Sequence, residues 1–284
     1  MTTDRLRPLW DFDDLDASET RLRAQLDDET TDAGHAEVLT QLARVEGLRG
    51  DFDAADRLLD EAVPLAGDDA VAKARIDLER GRVRRSSGDP EAARPLFDAS
   101  FALALDTGQT FIAADAAHMA ALVAPDRDGF IAWTERGIEL ASADVDARHW
   151  LGPLYNNVGW NYYDAGEFED ALTSFRRGLE AREADAEEGA SVEIARYTVG
   201  KALRTLGRSD EAVPLLERAV VWAETSGAPD GWFHEELALE YAALGRDPEA
   251  AVQARAAIPL LERDDPDFAA DEERAAQLRA IVGE

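Results

Sequence analysis

The feature that most constrains the fold is a short phrase of sequence that recurs at nearly constant spacing. Each copy has a glycine followed by a charged residue, an acidic residue within four positions, and alanine at the fifth position. The glycines are Gly50, Gly88, Gly166, Gly207 and Gly245. They lie 38, 78, 41 and 38 residues apart, and 78 is twice 39. The spacing predicts six units, of which a degenerate one follows Gly88 with its turn near residues 125–129.

Two columns of small residues flank each of these glycines. Five residues after it stand Ala55, Ala93, Ala171, Ala212 and Ala250, and seven residues before it stand Ala43, Gly81, Gly159, Gly200 and Ala238. Two helices approach closely only where the facing side chains are small. The columns therefore predict that each unit is a helix–turn–helix whose two helices cross at these positions.

Apolar residues continue the pattern on the second helix, nine and thirteen positions after the glycine. They are Leu59, Phe97, Phe175, Leu216 and Ala254, and then Val63, Phe101, Leu179, Val220 and Ile258. A spacing of four places them on one helix face, which we expect to pack against the next pair. The glycine itself is expected to adopt the left-handed conformation that ends the first helix.

Residues 154–172, which read LYNNVGWNYYDAGEFEDAL, resemble the tetratricopeptide repeat (TPR). The aromatic, aliphatic–glycine, aromatic, turn-glycine and alanine positions of that family are matched at Tyr155, Val158, Gly159, Tyr162, Gly166 and Ala171. The period exceeds the usual repeat of about 34 residues and is similar to the long repeats of kinesin light chains. The resemblance covers residues 33–261 and implies an all-α fold, a right-handed α–α superhelix (TPR solenoid) of about six helix pairs plus capping helices.

Helical patterns flank the repeats at both ends. Asp16 and Glu19 fit a capping box that opens a helix ending near Asp28, and a last amphipathic helix follows residues 265–267. A solenoid needs such caps. We therefore predict one domain, with an N-terminal segment and capping helix at 1–32, the solenoid at 33–263 and a C-terminal capping helix at 264–284.

The charge balance argues against nucleic acid and membrane as partners. Sixty acidic and thirty basic residues leave a net charge of −30 at pH 7, which repels phosphate backbones and anionic lipids. No stretch approaches the roughly 18 apolar residues of a membrane span. A cytoplasmic protein is therefore expected.

Templates for catalysis, cofactors and metals are not matched. The chain has no cysteine, and its four histidines, His35, His118, His149 and His234, lie at no metal-ligand spacing. We find no phosphate loop, dinucleotide fingerprint or nucleophile elbow. The sequence predicts a non-catalytic protein that needs no cofactor.

The resemblance implies that ligands lie on the concave face, which the first helix of each pair lines with positions two, five, nine and twelve of the unit. These twenty positions hold six cations and two anions, the reverse of the whole-chain balance. We expect this face to bind a protein or peptide through an acidic segment or a terminal carboxylate, which arginines and aromatic anchors would hold. The candidate residues are Arg44, Arg75, Arg82, Arg85, Asn156, Trp160, Tyr163, Tyr197, Lys201 and Arg204.

Alternatives remain open at both levels. The cations of this face can instead pair with acids of neighbouring helices and hold the repeats together. The protein can instead be a self-assembling structural protein, a homo-oligomer, or a regulatory sensor of a small peptide or acidic ligand. If the binding interpretation holds, replacing Arg82 and Lys201 with Glu abolishes partner binding without unfolding the chain.

Overall fold

The computed structural model describes residues 4–184 and 189–283, and the regular structure in these ranges is helical. Short 3-10 turns lie at Arg7–Leu9 and Arg148–Trp150. The α-helices are α1 (Leu15–Asp28), α2 (Asp32–Arg49), α3 (Phe52–Ala66), α4 (Ala70–Ser86), α5 (Pro90–Asp106), α6 (Thr110–Leu122), α7 (Arg127–Ala143), α8 (Leu151–Asp164), α9 (Phe168–Ala184), α10 (Ala190–Thr205), α11 (Ser209–Ser226), α12 (Gly231–Ala243), α13 (Asp247–Asp264) and α14 (Glu272–Val282). The predicted all-α class is confirmed.

The helices from α2 to α13 form six consecutive pairs, as the repeat spacing predicts. The degenerate unit is present as α6 and α7, which pack together although Val123, with a negative φ of −116°, follows the first helix in place of a glycine. Helix α1 packs on α2, and α14 packs on α12 and α13. No helix in the described ranges is long and apolar enough to cross a lipid bilayer.

Within the described residues the chain divides into two compact units, with the boundary after Leu154. The core of the first unit contains Leu22, Leu42 and Phe97, and the core of the second contains Phe175 and Leu216. The predicted partition at residues 32 and 263 stays a prediction.

The small columns lie where the two helices of a pair meet. All five alanines of the first column are fully buried. A Cβ atom on Gly81 would lie 2.4 Å from Cε1 of Phe97, and one on Gly159 would lie 2.5 Å from Phe175. Each glycine therefore leaves the space that a phenylalanine ring of the second helix fills.

This packing corrects part of the sequence interpretation. Residues nine positions after the turn glycine were expected to pack against the next pair, but Phe97 and Phe175 also fill the crossing within their own pair, because the glycine admits the ring to backbone level. The thirteenth position is variable: Val220 is buried, whereas Val63 is 48% exposed.

The helix ends follow the predicted turn chemistry, with one exception. All five turn glycines have a positive φ, between 69° at Gly245 and 93° at Gly88. The predicted capping box at the start of α1 is wrong, because the N-cap is Asp14, whose Oδ1 accepts a hydrogen bond from the Ala17 amide at 2.9 Å. Asp16 and Glu19 instead pair with Arg49 and join α1 to α2.

Candidate functional site

In the first compact unit, the predicted cations lie on the first helix of each helix pair. Of these, Arg82 on α4 already has ion-pair partners within the protein. Its guanidinium contacts both Glu79 of the same helix and Asp115 of α6. The side chains of these two acids are only 2% and 3% exposed. Burial would lower the pKa of Arg82, but the two carboxylates outweigh burial and raise it. Arg82 therefore joins two neighbouring first helices.

Arg75, at the N-terminal end of α4, is also occupied. Its Nη2 atom lies 2.6 Å from Oδ1 of Asp4, and its Nε atom donates to Oε2 of Glu37 at 2.9 Å. Arg75 is only 4% exposed. A ligand could reach this guanidinium only by replacing one of the two carboxylates.

Arg44 on α2 lies between charged and aromatic neighbours. Its Nη1 atom is 3.9 Å from carboxylate oxygens of both Glu79 and Asp115. Its guanidinium also lies over the rings of Trp10 and Phe12, at 5.4 and 5.3 Å from their centroids. Burial, with the nearby Arg82 as the next cause, lowers the pKa of Arg44. The Arg44 guanidinium is therefore enclosed by two carboxylates and two aromatic rings, and it is less accessible to a ligand than an arginine surrounded by solvent.

Arg85 differs from the other predicted cations. It is exposed in the last turn of α4, and within residues 4–184 and 189–283 its side chain makes no ion pair or hydrogen bond. Arg85 lines a cavity of about 210 Å³ that the last turns of α2 and α4 form with α6. The apolar part of the lining is Ala43, Leu48, Phe52, Val83 and Met119, and the charged part includes Arg44, Glu79 and Arg82.

Gly47 keeps this cavity open on the α2 side. A Cβ atom built on Gly47 would have no neighbouring atom within 4 Å. Gly47 and Arg85 both occupy the twelfth position of their units. The cavity thus has an apolar part beside the charged side chains of Arg44, Glu79 and Arg82, and the Arg85 in its lining has no carboxylate partner among the described residues.

In the second unit, Lys201 and Arg204 of α10 share one carboxylate. Lys201 Nζ contacts Oε1 of Glu236 on α12, and Arg204 Nε lies 2.6 Å from its Oε2. The Glu236 side chain is 1% exposed. Burial alone would raise the pKa of Glu236, but Lys201 and Arg204 outweigh burial and lower it.

The predicted aromatic anchors differ in accessibility. Tyr197 is 7% exposed and packs on Phe233, with ring centroids 5.1 Å apart, so it belongs to the core. Trp160 and Tyr163 are half-buried and meet edge to face at 5.5 Å. Asn156 is half-buried on the same helix, α8. Trp160, Tyr163 and Asn156 therefore have the partial exposure that contact with a ligand requires, whereas Tyr197 does not.

Sequence reasoning missed the acidic partners of these cations. Asp4, Glu79, Asp115 and Glu236 lie outside the four positions that were counted, and therefore the predicted excess of cations is largely neutralised within the protein. A signal was present in the spacing: Lys201 and Glu236 are separated by 35 residues, close to one repeat. The alternative interpretation, in which the cations join neighbouring helices, describes the geometry of all six except Arg85.

A half-buried histidine lies beside this network in α6. The ring of His118 contacts that of Trp150 at 5.4 Å, and its Nδ1 atom is buried without a hydrogen-bond partner in the described part of the chain. Burial lowers the pKa of His118 to about 4; Asp115 opposes this effect and the nearby arginines add to it.

We expect His118 to make the first unit less stable as the pH falls from 6.5 towards 4. The unfolded chain binds a proton on this histidine near pH 6.5, whereas the folded chain binds it only near pH 4. Since the unfolded state then holds more protons, up to about 3 kcal/mol is lost across this window. Urea midpoints at pH 7, 5.5 and 4.5 should fall less steeply for His118→Leu. The control His35→Gln should retain the wild-type slope, and equal slopes for wild type and His118→Leu would contradict this prediction.

Comparisons with known proteins agree with the helix pairs. Sequence models described as tetratricopeptide repeat match residues 36–61, 154–184 and 195–225. No curated protein sequence matches this chain significantly.

Solved structures share the fold at low sequence identity. The apo form of RapI superposes with a TM-score of 0.69 and 14% identity, covering 94% of this chain and 75% of that one. A Rap protein complexed with Competence and Sporulation Factor gives 0.58 and 12%, covering 94% and 79%. A chain of the APC/C hetero-tetramer Cut9–Hcn1 gives 0.65 and 12%, covering 92% of this chain but only 46% of that one. At these identities the likeness concerns the fold alone.

Proposed function

Since this chain is a tetratricopeptide repeat protein, we propose that it is a non-catalytic scaffold that binds an acidic segment of another protein or peptide on its first helices. The cavity beside Arg85 and Gly47 carries the proposal. The Rap protein of similar fold is itself complexed with Competence and Sporulation Factor, which supports a role in binding a partner. The net charge of −30 argues against nucleic acid and anionic membranes as partners, and a cytoplasmic location is part of the proposal.

In this proposal the ligand inserts an apolar side chain between Leu48, Phe52 and Met119, and an adjacent carboxylate binds Arg85. Arginine suits this role because its planar fork can hold both oxygens of a carboxylate. A ligand that bound Arg82 instead would have to displace Glu79 and Asp115, both of which are buried. Leaving these two buried carboxylates without an ion-pair partner costs free energy, so we expect the ligand to bind Arg85 rather than Arg82.

The other predicted residues have two roles in this proposal. Asn156, Trp160 and Tyr163 are partly exposed on α8 and form a second contact surface for a partner, in the second unit. The remaining candidates hold neighbouring helices in place or belong to the core, and they are Arg44, Arg75, Arg82, Tyr197, Lys201 and Arg204.

Selection from a random peptide display library on the full-length chain tests the proposal. We expect the retained peptides to carry Asp or Glu beside Leu, Met or Phe. For the best peptide, made synthetically with a fluorescent label, Arg85→Glu should weaken binding about tenfold or more, because a charge-assisted hydrogen bond contributes about 1.5–3 kcal/mol. Fluorescence anisotropy measures the loss.

Two further variants separate binding from folding. Gly47→Leu fills the cavity and should abolish binding, yet it should not lower the melting temperature, because replacing a glycine inside a helix stabilises it by roughly 0.5–1 kcal/mol. Arg57→Glu makes the same charge change on an exposed arginine of α3 and should bind as wild type does. If Arg85→Glu and Gly47→Leu both retain wild-type affinity, the cavity is not the binding site.

A further inference from the structure

The N-terminal segment Asp4–Phe12 lies on the same two first helices, over Arg44 and Arg75, which the sequence assigned to ligand binding. Oδ1 of Asp4 accepts a hydrogen bond from Arg75 at 2.6 Å. The Trp10 indole donates to Oε1 of Gln41 on α2 at 2.9 Å. The segment therefore contacts a surface on which the sequence places an external peptide.

The contacts of this segment are those of a bound peptide. A carboxylate lies on an arginine, the aliphatic side chain of Leu6 is 1% exposed in the core, and two aromatic rings lie against the Arg44 guanidinium. The regular structure of the segment is limited to the 3-10 turn Arg7–Leu9. The attachment is supplied by side chains of the segment and by α1, whose Arg21 donates to the Leu9 carbonyl at 2.8 Å and whose Ser18 hydroxyl bonds to the Asp11 backbone.

Asp4 has a specific electrostatic role. The other carboxylate on Arg75 belongs to Glu37, which is shared with Arg5 at 3.1 Å. Arg75 therefore needs a further carboxylate, and Asp4 supplies it from a position 71 residues away in the sequence. Any segment that brought a carboxylate to this place would satisfy the same guanidinium.

The packing beneath the segment is incomplete. A cavity of about 60 Å³ remains there, lined in part by Trp10, Phe12, Gln41, Arg44 and Arg75. Protein interiors rarely leave voids larger than a water molecule. Because this interface is incompletely packed, we expect the segment to detach from its surface more readily than a fully packed part of the core would.

We propose that residues 4–12 are a resident ligand, and that the surface of α2 and α4 beneath them also binds a segment of another protein chain. The partner carries a carboxylate for Arg75, an aliphatic residue two positions later, and an aromatic ring six positions later for Gln41 and Arg44. This inference rests on the proposed function, because it takes the first helices to be a peptide-binding surface. A tethered segment acts at an effective concentration of about millimolar, so the partner binds only when it outcompetes residues 4–12.

The test uses a fluorescein-labelled peptide with the sequence of residues 4–12, DRLRPLWDF, and the full-length chain. The double variant Asp4→Asn, Leu6→Asn weakens the resident segment. We expect it to bind the probe at least about tenfold more tightly than wild type does, because the fraction of chains with a free surface rises. A probe with Asn in place of its first Asp should bind about tenfold more weakly. The control Asp13→Asn changes an exposed acid that contacts neither α2 nor α4, and it should match wild type.

Equal affinity of wild type and the double variant, or no binding to either, would overturn the inference. If the double variant loses helicity, hydrogen exchange of the wild-type chain decides instead. Amides of residues 6–10 should then exchange about a hundredfold faster than those in the middle of α2, because the segment detaches without global unfolding. If the amides of residues 6–10 and those in the middle of α2 were equally protected from exchange, the segment would be a fixed part of the core and the inference would be wrong.

The probe also separates this inference from the proposed function. Arg85 and Gly47 lie outside the contacts of residues 4–12. If the probe fails while Arg85→Glu still weakens the display-selected peptide, only the resident-ligand inference is wrong. If Arg85→Glu has no effect while the probe binds as expected, the proposal of a binding site in the cavity beside Arg85 is wrong. The inference that the surface at Arg75 binds a peptide is then retained.

Discussion

Arg82→Glu is expected to destabilise the first unit by about 3–5 kcal/mol, the cost of breaking a buried ion pair. The substitution removes the cation that holds Glu79 and Asp115 and puts a third carboxylate beside these two buried acids. Of the neighbouring cations, Arg44 remains, at 3.9 Å from each acid. Urea unfolding followed by far-ultraviolet circular dichroism should show a clearly lower midpoint for the first unit.

Arg85→Glu is the matched control, because it makes the same charge change three residues further along α4. Arg85 is exposed, so its replacement should change the free energy of unfolding by no more than about 0.5 kcal/mol. If both variants lowered the urea midpoint equally, the loss of stability would come from charge repulsion within an acidic chain. The buried ion-pair network of Arg82 would then not be its cause. This expectation reverses the prediction from the sequence that Arg82→Glu leaves folding intact.

Glu236→Gln is expected to destabilise the second unit by about 3 kcal/mol at neutral pH, because Lys201 and Arg204 lose the carboxylate they share. The effect should depend on pH in a defined direction. Since the two cations lower the pKa of Glu236 below its ordinary 4.5, its contribution is complete above that value and is lost as the pH falls through the folded pKa. Urea midpoints of wild type and variant should therefore differ at pH 7 and converge in acid.

Glu211→Gln provides the comparison at the surface. Glu211 also pairs with two cations, Arg176 and Arg208, but all three side chains are substantially exposed. Solvent and salt weaken such pairs, so the urea midpoint should stay at its wild-type value. A Glu236→Gln midpoint that also matched wild type would show that the buried pair contributes nothing to stability.

The helix pairs were predictable because their signals are local and repeated. The spacing of Gly50 and Gly88 predicts the turns, and the 78-residue interval from Gly88 to Gly166 predicts a pair at α6 and α7, where the glycine is absent. Gly81 and Gly159 mark the crossings, although the sequence did not reveal that Phe97 and Phe175 fill the space they leave. Which side chain enters a given space depends on how two helices approach, and a column of small residues does not specify that.

The candidate site was predictable only in part. Arg82 and Arg85 look equivalent in the sequence, since they lie on one helix three residues apart, and only their surroundings in the fold separate a buried structural cation from an exposed one. The N-terminal segment was predicted to cap the repeats, and no pattern in it indicates that Asp4 reaches Arg75.

The all-helical class, the number of helix pairs and the turns between them follow from the sequence, because the spacing of small and apolar residues along a helix is a local property. The folded arrangement of the helices sets which charges are neutralised, which aromatic residues are buried and what lies on α2 and α4. The pairing of a charge depends on side chains that come within about 4 Å from helices a whole repeat apart, and burial then sets how much each pair contributes.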